Sequence, residues 1–223
     1  MLKRLIAPLV IGLVGAAILV SLGVWQLQRL AWKEALLAGI EARLHEPPME
    51  LPAKPDPVAD RYAPVQVEGS FTGPEVHVLS ANPEAGPGYR IVAAFRTADG
   101  RMILIDRGFV PEAQRDAARQ VTAARITGTL FWPNETDSFT PAPDRTANIW
   151  FARDVPAMAA ALETEPTFIV AREPTGDGIK PVPVDTAGIP NDHRNYAITW
   201  FSLAFVWLGM TVLWLWRIRR QLD

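Results

Sequence analysis

The stretch Tyr196 to Trp216, YAITWFSLAFVWLGMTVLWLW, carries no charged side chain. About 20 apolar residues suffice for a helix to cross a hydrocarbon core of about 30 Å. Nine Leu, Ile, Val and Phe side chains in this stretch contribute roughly −3 to −5 kcal/mol toward insertion, with no ionic cost to oppose them. A second uncharged block, Leu5 to Leu27, lies at the other end of the chain. Its twelve Leu, Ile and Val residues between Leu5 and Trp25 contribute roughly −4 to −7 kcal/mol. Two membrane helices, one at each terminus, are therefore expected, and the residues between them decide what the helices carry.

The bulk composition hides this arrangement. Over 223 residues the chain is 49% hydrophobic and 21% charged with a net charge of −2, values that pass for an ordinary globular protein. Nearly all the charge lies between the apolar blocks. Lys3 and Arg4 precede the first block, and Arg217, Arg219 and Arg220 follow the second. The positive-inside rule then puts both termini in the cytoplasm and the central domain in the periplasm. The first block outruns the roughly 7–15 residues of a signal-peptide core and continues into Trp25-Gln26-Leu27-Gln28-Arg29 without a small-x-small cleavage pattern. The short N-terminus, without an Arg- and Ser-rich transit peptide, points to a bacterial inner membrane. There is no Cys, so disulfides and thiolate metal sites are excluded.

Along the chain, Leu27, Leu30, Leu37, Ile40 and Leu44 recur at helical spacing, predicting that the first helix continues beyond the membrane until Pro47-Pro48 stops it. His45 is expected only to cap that helix end. The Pro-rich run Leu51 to Pro57 reads as an extended connector. From Tyr62 the period changes to two. Val65 and Val67, then Val76 and Val78, read as short strands; Tyr89 to Thr97 and Arg101 to Phe109 read as a hairpin about Ala98-Asp99-Gly100. Ala124 to Trp132, Asn148 to Phe151 and Thr167 to Arg172 are further strands, with a short helix Val155 to Leu162 capped by Asp154. His77 alternates with Val76 and Val78 and is expected on a solvated face.

The predicted fold is a membrane protein whose two terminal transmembrane helices enclose a β-rich extracytoplasmic domain. That domain is expected to be a small antiparallel barrel or sandwich with helical additions, of α+β character. Its organisation is a helix with a cytoplasmic tail over 1–27, a helical extension and Pro-rich linker over 28–61, the β-rich domain over 62–189, and the second helix with its tail over 190–223.

Catalysis is not indicated. There is no phosphate-binding Gly-rich loop, no Gly-x-Ser-x-Gly elbow and no His-Glu-x-x-His pair, and the chain has 3 His in all. His193 is the best single candidate for chemistry. It falls in the first turn of the second helix, where the positive end of the helix dipole favours a neutral ring able to bind iron. Arg194 beside it matches a carboxylate at the water interface. The alternative is an interfacial His that caps the helix and bonds water or headgroups. His193, Trp200, Trp207 and Trp214 recur every seventh residue and share one stripe. Trp207 falls mid-span, where its N–H needs a partner. Packing on the first helix, across a seam of Gly12, Ala16 and Gly23, stands beside a flat apolar cofactor as the explanation of the stripe.

Three stretches together resemble the surfeit locus protein one (Shy-type) cytochrome c oxidase assembly factors. They are Gly23-Val24-Trp25-Gln26-Leu27-Gln28-Arg29-Leu30-Ala31-Trp32-Lys33, Arg107-Gly108-Phe109-Val110-Pro111, and Asn191-Asp192-His193-Arg194-Asn195-Tyr196-Ala197-Ile198-Thr199-Trp200-Phe201. The second is similar to an Arg-Gly-Trp-Val-Pro turn of that family. The sequence departs from the family pattern at Phe109 for Trp, Asp192 for Asn and Arg194 for Leu.

The resemblance implies a non-enzymatic assembly factor that holds or delivers haem a to cytochrome c oxidase subunit I, stably or in passing. His193 would be the iron ligand, with Trp25, Arg29, Arg194, Tyr196 and Trp200 shaping the site. Haem a synthase is a further candidate partner, the lipid bilayer is the setting, and no nucleic acid is involved. A haem-free scaffold that stabilises subunit I is the alternative.

Overall fold

The computed structural model describes residues 2–120 and 122–221. The side chains of Lys3 and Arg4, which carry part of the orientation argument, lie outside the described side chains. In chain order the elements are α1 (Leu2–Leu44), β1 (Met49–Glu50), β2 (Pro64–Asn82), β3 (Gly86–Thr97), β4 (Met102–Pro111), a 3-10 turn (Glu112–Gln114), β5 (Ala123–Leu130), β6 (Ile149–Trp150), α2 (Val155–Leu162), β7 (Phe168–Ala171) and α3 (His193–Arg220). The chain divides into two compact units: residues 1–39 with 186–223, and residues 40–185.

In the first unit α1 and α3 pack antiparallel, and both are long and apolar enough to cross a membrane. The seam follows a seven-residue repeat. On α1 it runs through Pro8, Gly12, Gly15, Ala16, Leu19, Gly23 and Gln26, and on α3 through His193, Ala197, Phe201, Ala204, Trp207 and Thr211. Steps of three and four are the pattern of left-handed helix pairing.

Small residues permit the close approach. A Cβ on Gly12 would run into Thr211, one on Gly15 would lie 2.5 Å from Trp207 Nε1, and one on Gly23 would lie 2.7 Å from the Phe201 ring. Away from the seam the apolar side chains face outward, with Phe205, Val212 and Leu213 all exposed. Such all-round apolarity suits a lipid surround and not water.

In the second unit β5 pairs with both β7 and β2, so the ladder β2-β3-β4-β7-β5 returns to its first strand and closes a five-stranded barrel. Val65, Val67, Phe71, Phe95, Ile103, Ile105, Ile126, Leu130 and Ile169 point inward and fill it. Alternate residues on the same strands, including Val76, Val78, Val92, Leu104, Phe168 and Val170, point outward and pack against Met158 and Ala159 of α2 and against Trp150. Burial on both faces accounts for the uninterrupted apolar run Ile103-Leu104-Ile105. Asp154 caps α2 as expected, its carboxylate accepting from Ala157 N at 3.1 Å.

The structure departs from the sequence reading in four places. The sheet is mixed rather than antiparallel, because β1 and β6 join β2 in parallel and β7, arriving after α2, joins β4 in parallel. The two expected short strands at Val65 and Val76 are one long strand, β2, which pairs β5 over Pro64–Ser70 and β3 over Gly69–Asn82, with a bulge in the β3 ladder between Phe71 and Glu75. His77 is buried, 6% exposed, on a face it shares with Glu75 and Tyr89; its Nε2 lies 2.9 Å from Glu75 Oε1, which also faces Arg119 at 3.6 Å. The Pro-rich run is folded onto the sheet. Leu51 packs on the barrel core, Arg101 donates to Pro52 O at 2.9 Å, and Arg43 donates to Ala59 O at 2.6 Å.

Candidate functional site

The polar group buried in the helix seam of the first unit is Gln26, 8% exposed on a face otherwise made of Gly, Ala and apolar residues. A buried amide needs partners. His193, the first residue of α3, provides one: its Nδ1 lies 2.8 Å from Gln26 Oε1. An amide oxygen only accepts, so in the neutral ring Nδ1 carries the proton and the Nε2 lone pair is left available. A hydrogen bond of this kind to the other ring nitrogen fixes the tautomer and aim of metal-ligating imidazoles. Asp192 stands at the N-cap position but makes no side-chain cap bond, so His193 is oriented by Gln26 and not by its own helix end.

Helical geometry places the other expected site residues. Each residue is turned about 100° from the one before it. With the His193–Gln26 contact as the facing direction, Arg29 lies about 60° and Trp25 about 100° to one side of α1. Tyr196 lies about 60° to one side of α3, and since the helices run antiparallel it opens to the same flank. Trp200 stays within about 20° of the seam.

Thus Arg29, Tyr196 and Trp25, the last 53% exposed, fall on one flank of the helix pair and Trp200 lies close to the seam, spread along the helix axes to either side of His193. Arg29 is held by its own helix, its guanidinium 4.0 Å over the Trp32 ring. Arg194 turns about 100° to the opposite flank and is exposed. Gln26 was missed in the sequence, although a polar residue at a small-residue seam was the available signal.

The lower stripe holds the helix pair together. Trp207 Nε1 donates to Gly12 O at 3.0 Å, giving the mid-span indole the partner it requires. Trp214 lines a small apolar hollow with Ile11, Gly12, Trp207, Met210 and Thr211.

In the second unit the Arg107-Gly108-Phe109 stretch lies in β4, as its pattern predicts, and forms a β-bulge rather than the turn of the family motif: Val92 pairs Asp106 and Ile91 pairs Gly108, leaving Arg107 unpaired. The bulge turns Arg107 inward, to 1% exposure, with its guanidinium 4.2 Å over the Phe71 ring. It donates to Thr175 Oγ1 at 2.9 Å, Thr175 O at 3.0 Å and Asp177 Oδ2 at 2.7 Å. Gly108 has φ +120° and no room for a Cβ against Lys180 O, while Phe109 N donates to that same oxygen at 2.7 Å. Asp106, fully buried, accepts from Arg90 at 2.7 Å and from Arg153 at 3.3 Å, and Arg153 is bound in turn by Glu135. This motif is a clasp that fastens residues 175–182 to the barrel. Among the described residues no group of three His, Cys, Asp or Glu is arranged to hold a metal ion.

Comparison with known proteins agrees with this layout. A SURF1-like protein of Monosiga brevicollis is 36% identical over 214 residues, covering 86% of this chain and 81% of the relative. A SURF1-like protein of Rickettsia felis is 30% identical, covering 91% and 94%. Surfeit locus protein 1 of Rattus norvegicus is 31% identical, covering 82% and 67%. The family model described as the SURF1 family matches residues 13–205, which takes in the Gln26 segment, the Arg107 clasp and the His193 helix start together, and the chain belongs to that family.

Proposed function

We propose that this chain is an assembly factor of cytochrome c oxidase, the role its family implies, and that it holds or delivers haem a to subunit I through His193. The observation that carries the reading is the 2.8 Å contact from His193 Nδ1 to Gln26 Oε1, which leaves Nε2 free to bind iron. Haem a is cargo here. Its ring would lie against Tyr196 and Trp200, with Trp25 at the outer edge, and its carboxylates would meet Arg29 at the water boundary. Arg194, on the far flank, has no part in this arrangement.

Both helices cross the inner membrane of a bacterium, with cytoplasmic termini and a periplasmic barrel. The apolar outward faces of α1 and α3 support this. The spectrum of the full chain purified from cells that make haem a tests the ligand assignment. Wild type should carry haem and His193→Ala should lose it; haem bound unchanged by the variant sinks the assignment.

A second reading, a haem-free scaffold on subunit I, draws on the barrel unit. Phe139 is 90% exposed on a turn made rigid by Asp137 and Thr140, as an anchor for a protein partner would be. Crosslinking to subunit I in cells without haem a separates the two: a scaffold keeps the contact and a haem donor loses much of it. Haem a synthase would be the upstream partner of the donor.

A further inference from the structure

The end of the helix pair away from His193 has its own concavity, which the haem reading does not use. Leu5 and Leu9 of α1 and Leu215, Trp216 and Arg219 of α3 line a groove of about 380 Å³. Its walls are apolar except at the rim, where Arg219 stands. Among the described residues the Arg219 side chain has no ion-pair or hydrogen-bond partner, although Arg217 and Arg220 share its helix turn. Trp216, about half exposed, is steadied by Arg220, whose guanidinium lies 3.9 Å over the indole ring. An apolar trough that ends at a guanidinium, between a steadied indole and leucine side chains, is complementary to one amphipathic anion.

We infer that this groove binds an anionic glycerophospholipid, with one acyl chain against Leu9, Leu215 and Trp216 and the phosphate at Arg219. The inference rests on the reading that the two helices span a bilayer, and is independent of haem. The cationic rim favours a net negative headgroup, since a basic residue near a membrane surface contributes about 1 kcal/mol toward anionic lipid, or about fivefold. The groove adds what charge alone does not: a fixed position for the chain.

Native mass spectrometry of the full chain in mild detergent, titrated with equimolar dioleoyl phosphatidylglycerol and dioleoyl phosphatidylcholine, provides the test. Phosphatidylglycerol adducts should exceed phosphatidylcholine adducts at least about fivefold, and Arg219→Gln should lower the ratio about fivefold. Leu9→Trp, which fills the trough, should lower phosphatidylglycerol adducts several-fold, while Arg125→Gln in the barrel unit should change nothing. Equal retention of the two lipids, or an unaltered ratio in Arg219→Gln, overturns the proposal. So does undiminished binding in Leu9→Trp, which would reduce the effect to surface attraction. Alkaline extraction of proteoliposomes separates this failure from that of the membrane reading: a chain released by carbonate does not span, whereas a chain retained without lipid preference spans and lacks the site.

Discussion

Arg107 lies 2.7 Å from Asp177, and both are nearly closed to solvent, at 2% and 9% side-chain exposure. The pair joins a bulge in β4 to a loop seventy residues later, and its third member is the Phe71 ring beneath the guanidinium. Truncating one partner of a buried ion pair leaves the other charge uncompensated, at a cost of about 3–5 kcal/mol. Arg107→Ala should therefore lower the stability of the barrel unit by that amount, read from denaturant unfolding of the full chain in detergent. Arg107→Lys should recover only part of it, because an ammonium cannot donate to Thr175 and Asp177 together while lying flat on Phe71.

The same clasp sets an acid limit. Burial works to raise the Asp177 pKa, but hydrogen bonds from Arg107 and Gln120 N, with the Arg107 charge, outweigh it and hold the carboxyl below its usual range. Glu135 is lowered in the same way, burial being outweighed by Arg153. A carboxylate depressed on folding adds stability that is complete above its unfolded pKa and disappears as pH falls through its folded one. Thermal midpoints followed by Trp fluorescence should be flat from pH 8 to about 5 and fall below about pH 4. Asp177→Asn should melt lower at neutral pH and show a shallower fall in acid.

Much of this was legible in the sequence. Apolar length gave both helices, and period-two patterning with Ala98-Asp99-Gly100 gave the β3-β4 hairpin, because these signals are local. The departures arise where distant residues decide. The alternation of its own strand points His77 to a solvated face, yet Tyr89 and Arg119, supplied by later parts of the chain, close that face around the His77–Glu75 pair. The strand over Arg101 to Phe109 is legible from its own pattern, whereas the bulge at Gly108 is not, because it depends on Lys180 pressing against that glycine from a distant loop. At the candidate site His193 stood out by its chemistry. Gln26 did not, because its importance depends on which way α1 faces, and only the pairing with α3 fixes that.

Trp207 gives a test of the helix pair that does not involve haem. Its indole donates to Gly12 O across the seam and rests over Gly15. Interhelical hydrogen bonds in membranes average about 0.6 kcal/mol and reach about 1.7. Trp207→Phe, which keeps most of the packing, should cost within that range. Gly15→Leu should cost more, since a side chain there has no space unless the helices part. Resistance of the helix pair to unfolding in dodecyl sulfate titrations ranks the two variants, and a Gly15→Leu chain as stable as wild type would rule out the seam.

The contact of His193 with Gln26 carries the functional reading, and substitution at Gln26 separates positioning from ligation. Gln26→Leu removes the acceptor that fixes the Nδ1–H tautomer while leaving the imidazole in place. Loss of such a partner to a ligating imidazole lowers metal affinity about 10–100-fold. Haem titrated into the detergent-solubilised variant should therefore bind more weakly by that factor, with a His-ligated spectrum at saturation, whereas His193→Ala should lose that spectrum altogether. Gln26→Glu keeps an acceptor at the same distance and should restore tight binding. If Gln26→Leu binds haem as wild type does, imidazole orientation by α1 has no part in the site, and His193 would be serving as a hydrogen-bonded helix end in the seam.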